Sequence, residues 1–72
     1  MTKTFALCID NTGYQASLIA GKVYRILPDQ RAVRDELVRI VDESGEDYLY
    51  PAKWFVAVEV PKAVQTSLLK AS

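Results

Sequence analysis

The stretch "LVRIVDESGEDYLYPAKWF", residues 37–55, decides the fold. Residues 37–42 and 47–50 are runs rich in β-branched and aromatic side chains. A short acidic turn centred on Ser44 and Gly45 separates them, which is the pattern of a β-hairpin. Pro51 closes the second run, and "WFVAVEV" at 54–60 resumes β-character until Pro61 stops it. Residues 48–55 hold Tyr48, Tyr50, Trp54 and Phe55, four of seven aromatic residues in the chain (four Tyr, two Phe, one Trp). These rings either fill a small core or face a partner.

Upstream of the hairpin, "TFALCI" at 4–9 alternates Phe5, Leu7 and Ile9 with the smaller Ala6 and Cys8. This period of two predicts a strand with one face in the core. "DNTG" at 10–13 ends it with residues suited to an Asx turn and to positive φ. Gly21 then introduces "KVYRIL" at 22–27, a second strand stopped by Pro28. Residues 28–36, "PDQRAVRDE", are charged and read as a surface loop or a single helical turn facing water. In the tail, Val64 and Leu68 are four apart and Pro61 suits a helix start, so a short C-terminal helix is expected, one needing a docking surface to persist.

Length and composition bound what such a chain can do. At 72 residues it is one domain, of a size whose single apolar core supplies only about 3–5 kcal/mol of net stability. Cys8 is the lone cysteine and histidine is absent. The chain therefore has neither an internal disulfide nor the ordinary ligands of a zinc site. Half the residues are hydrophobic and a quarter charged, as in folded domains. No apolar run approaches the ~18–20 residues that cross a bilayer. The opening "MTKTFALCID" lacks a signal-peptide pattern, and a soluble, cytoplasmic protein is expected. Nine basic and nine acidic side chains cancel, which removes the usual electrostatic case for nucleic acid.

Five short strands in so small a chain predict an all-β barrel over residues 1–60, with residues 61–72 as a helical or flexible tail. The order of these pieces resembles the Src-homology-3 family over most of residues 5–60. "FALCID" lies where that family has its first strand and its alanine-leucine-tyrosine-aspartate-tyrosine motif. "ASLIAGKVYRIL" resembles the diverging turn and second strand, "ESGED" the distal hairpin, and "YPAKWFVAV" the proline that opens a short 3₁₀ turn before the last strand. The resemblance implies a small five-stranded barrel that grips extended ligands between aromatic ridges. Pro51 and Trp54 match two groove positions. Ile9 and Asn11 stand where the motif has tyrosines, "ELV" replaces the tryptophan expected at strand three, and Asp10 alone precedes Gly21 where the family carries an acidic cluster. Binding of the usual polyproline ligand is therefore not expected.

Tyr50 and Phe55 are expected in the core, because so few large side chains must be buried to gain the ~1.5–3 kcal/mol each supplies. Trp54 is left between two readings, a surface anchor and a ring capping the barrel. Tyr14, Leu49, Pro51 and Trp54 together form the candidate partner-binding patch. No catalytic role is expected, since Cys8 lies in an apolar strand without an evident base. Asp42, Glu43, Glu46 and Asp47 flank a turn without calcium-loop spacing, and read as a solvated acidic hairpin rather than a metal site. Arg25, Arg31, Arg34 and Arg39 each have an acid nearby and are expected to be compensated.

The resulting expectation is a small non-catalytic module that binds a protein or peptide partner without a cofactor. A self-associating structural domain, using the "VQTSLL" segment to form a homodimer, is the alternative. A nucleic-acid-binding barrel comes third.

Overall fold

The hairpin is present in register. Leu37–Val41 (β3) pairs antiparallel with Asp47–Pro51 (β4), placing Val38 opposite Tyr50 and Ile40 opposite Tyr48. Gly45 closes the turn at φ +84°, a left-handed backbone that costs glycine little, and donates its N–H to the Asp42 carbonyl at 3.0 Å. The structure is a computed structural model that describes residues 4–71, with side chains through Ser67. Leu68, invoked for the helix and for self-association, thus has its side chain outside the described residues.

Phe5–Cys8 (β1), Val23–Leu27 (β2) and Phe55–Val58 (β5) complete one antiparallel sheet in the order β4-β3-β2-β1-β5. The domain is all-β, with five strands and a short C-terminal helix, Lys62–Ala71 (α2). The sheet is not closed into a barrel, because β4 and β5 stand at opposite ends of the ladder. The reason lies in their connection: the chain passes from β4 to β5 through a single 3₁₀ turn, Ala52–Trp54. Its backbone bonds tie Ala52 N–H to Glu36 and Ile9 N–H to the Trp54 carbonyl, at 3.0 and 2.8 Å, instead of joining the two edge strands. Side chains bridge the ends instead, with the Tyr50 and Phe55 ring centroids 6.3 Å apart.

The core is built from Cys8, Leu18, Tyr24, Ile40 and Tyr50, with Ile26, Val38, Trp54 and Phe55 packed against it. Both sets of the β1 alternation find cover, with Phe5 buried on one face and Ala6 and Cys8 on the other. Ala6 lies opposite Tyr24, and Cys8 lies opposite Phe55 and joins the core cluster, so the smaller set takes the core face. Large rings opposite leave room only for small partners, in keeping with close packing of large against small. Ile9 is 54 % exposed, whereas Phe5 is buried on the other side of the strand, opposite Arg25 and Val58.

Leu18 comes from the loop between β1 and β2, yet is fully buried. It roots that loop in the domain. The charged segment forms a helical turn, Gln30–Arg34 (α1), capped by Asp29, whose carboxylate accepts the Ala32 N–H at 3.0 Å. Ala32 is buried, so this turn also contributes packing rather than only facing water. No helix among the described residues is long and apolar enough to cross a membrane.

Candidate functional site

The loop after β1 is held by local bonds dictated by its sequence. Asp10 accepts from the Thr12 N–H at 3.0 Å and the Thr12 hydroxyl at 2.6 Å, an Asx turn that Gly13 extends at φ +83°. Tyr14 then donates its N–H to Asn11, while its carbonyl accepts from Ser17 and Leu18 at 3.0 and 2.9 Å. The Asn11 side-chain amide donates to the Leu18 carbonyl at 2.9 Å. Tyr14 consequently has a fixed backbone although it is 50 % exposed.

Its ring meets two others. Tyr14 lies edge-on to Tyr50 at 5.5 Å and 88°, and to Trp54 at 5.5 Å and 62°. Tyr50 and Trp54 are themselves 6.4 Å apart at 30°. Edge-to-face pairs at such separations contribute about 0.5–1.5 kcal/mol beyond the area they bury. Trp54 is half-buried: it packs on the core cluster and carries the ring of an exposed tyrosine.

Beside Tyr14 opens a groove of about 410 Å³, within the ~300–1,000 Å³ typical of ligand sites. Tyr14, Tyr48, Leu49 and Tyr50 form its apolar walls, and Ser17, Ser44 and Asp42 its polar ones. Of the residues expected in a binding patch, Tyr14 and Leu49 line this groove directly. Trp54 reaches it through the Tyr14 ring, and Pro51, half-buried, caps the 3₁₀ turn outside it.

Asp42 was not among those candidates. It is only 6 % exposed. Its carboxylate accepts the Tyr50 hydroxyl at 2.6 Å, the Ser44 N–H at 2.9 Å, and the Ser44 hydroxyl. Burial acts to raise its pKa, but the bonds from Ser44 and Tyr50 together outweigh it, so the carboxyl lies below its ordinary value. On the other side of that bond, burial and then Asp42 push the Tyr50 phenol up to about 12. The available signal was parity: residues 38, 40 and 42 point the same way from β3, so an acid at 42 follows Ile40 inward.

The remaining hairpin acids are also engaged. Glu43 accepts from Lys22 at 2.6 Å and from the Tyr24 hydroxyl, and these bonds hold its carboxyl below the ordinary value. Tyr24, otherwise buried, also accepts the Ile19 N–H at 2.8 Å. Asp47 pairs with Arg39, which bridges to Asp29 as well. Glu46 accepts from the Tyr48 hydroxyl at 3.3 Å. Every buried side-chain nitrogen or oxygen among the described residues has a partner. Arg39 is compensated as expected, whereas Arg25, Arg31 and Arg34 form no ion pair among the described residues.

No group of three or more metal-ligating side chains is assembled among the described residues. Cys8 is fully buried, and burial raises its thiol pKa, leaving it a packing group. This surface presents aromatic rings, hydroxyls and one buried carboxylate. Comparison of the chain with protein-family models, with curated proteins and with solved structures returns no match.

Proposed function

We propose that this chain is a small non-catalytic interaction module that docks a segment of a partner protein in the groove between Tyr14, Tyr48 and Leu49. One observation carries the reading. Three large side chains, each between 43 and 50 % exposed, are presented together beside Tyr50, which is in the core, and Trp54, which packs against it. Aromatic side chains lose little entropy when a ligand covers them, which makes such clusters good anchors.

The same reading takes the fold as Src-homology-3-like. It is supported by the strand order with β1 between β2 and β5, by the hairpin 37–51, and by the proline that leads into a 3₁₀ turn. The open sheet and the exposed Ile9 at a motif tyrosine position argue for a ligand other than polyproline. A cytoplasmic setting is part of this reading, consistent with one buried, unpaired cysteine.

Selection of displayed peptides on the folded chain tests the proposal. Binders that lose about thirtyfold in affinity on Tyr14→Ala, while the thermal midpoint moves by only a few degrees, are the expected result. Binders indifferent to Tyr14 and Tyr48, or a selection that yields none, would overturn it.

A further inference from the structure

Among the described residues Asp42 is the one charged side chain that lines the groove, with Glu46 beside it on the Tyr48 hydroxyl, and this says what the groove takes. Glu43 and Asp47 are neutralised by Lys22 and Arg39. Asp42 and Glu46 are not: among the described residues their side-chain partners are hydroxyls, with no cation within ion-pair distance. For Glu46, exposed, this is ordinary. For Asp42 it is unusual, because a carboxylate with so little access to water is seldom found without a positive partner. Its low pKa keeps it ionised. Among the described residues no lysine or arginine lines the groove, and the rings of Tyr14 and Tyr48 stand half-exposed over the same space.

We infer that the groove receives an arginine side chain from a partner protein segment, with the guanidinium stacked on Tyr14 or Tyr48 and facing the negative charge of Asp42 and Glu46. This rests on the interaction-module reading and adds the chemistry of the ligand. A planar guanidinium is less strongly hydrated than an ammonium, stacks on aromatic faces and accommodates several acceptors at once. The hydroxyls of Ser17 and Ser44 supply acceptors at the groove wall.

The test is an NMR titration of the amide resonances of the intact chain with N-acetyl-arginine amide, against the neutral isostere N-acetyl-citrulline amide. Expected are saturable shifts at Ser17, Ser44, Tyr48 and Leu49 with the arginine compound, about tenfold weaker with citrulline. They weaken with added salt and with Glu46→Gln, and vanish in Tyr48→Ala, both exposed positions whose change leaves the fold intact. Equal shifts from both compounds, or none that saturate, overturn the inference. So do shifts at the same amides on concentrating the chain without probe, which would seat a second copy in the groove. Selected peptides that bind through Tyr14 yet carry no basic residue would end this inference and leave the module reading standing. The absence of any groove ligand ends both.

Discussion

The Tyr50 hydroxyl donates to the Asp42 carboxylate across 2.6 Å, inside the domain, so the floor of the groove and the end of the hairpin are one hydrogen-bonded unit. Asp42 in turn gathers the Ser44 N–H and hydroxyl and so shapes the turn. Core, hairpin and groove share these two side chains.

Removing the phenolic oxygen tests that coupling. Tyr50→Phe keeps the ring and its contacts with Tyr14, Trp54 and Phe55 but deprives a buried carboxylate of a donor. A hydrogen bond to a charged group contributes about 1.5–3 kcal/mol, a large share of what a domain this small has. Urea unfolding should show a midpoint lowered accordingly with an unchanged slope. A loss of only a few tenths of a kcal/mol would mean that water replaces the phenol at Asp42.

The same pair sets the pH window. Asp42 and Glu43 have folded pKa values below their unfolded ones, so their contribution is fully present above the unfolded carboxylate range of about 4 and is lost as pH falls through the folded values. Tyr50 has the opposite sign. Its folded value, about 12, exceeds the unfolded value near 10, so its contribution is present below about 10 and is lost as pH rises toward 12. Stability measured against pH should therefore fall at both ends. Asp42→Asn should flatten the acid limb, and a limb of unchanged steepness in that variant would rule Asp42 out as its source.

Leu18 is the loop residue on which Tyr14 depends. It is fully buried, and its N–H and carbonyl are bonded to Tyr14 and Asn11. Leu18→Ala should cost about 2–5 kcal/mol, comparable with the whole stability of the domain. The variant is expected to be largely unfolded at ambient temperature by circular dichroism. Exposed Ile19→Ala, one residue on, should change little.

These results mark where the sequence is informative. Strand positions followed from alternation and from Gly and Pro punctuation, because hairpin turns and proline restrict the backbone locally. Which face of β1 joins the core cluster did not follow, since period two is satisfied by either set. The choice fell to the volume of Tyr24 and Phe55 across the sheet. Nor did closure: the five strands were legible, but whether β4 and β5 meet depends on how far the turn at 52–54 carries the chain. Tyr14, Leu49 and Trp54 were legible as candidates because large apolar side chains near turns stand out. Asp42 was hidden by three other acids in the same hairpin, and only its inward parity separates it from them.

Trp54 gives the most direct reading of the site. It packs on the core with one side and carries the Tyr14 ring on another. As the single tryptophan, it makes emission unambiguous: an intermediate maximum with restricted access to a neutral quencher is expected, independent of protein concentration. Tyr14→Ala removes a ring that packs on Trp54 and on the edge of Tyr50 but leaves the buried side chains themselves unchanged, so emission should shift to the red and quenching increase while the thermal midpoint moves by only a few degrees, matching about 1 kcal/mol for lost ring contacts. If emission is already fully red-shifted and freely quenched in the unaltered chain, the Tyr14 to Trp54 contact does not persist in solution and the groove loses its base. If protection disappears on dilution, the shielding group is another copy of the chain rather than Tyr14.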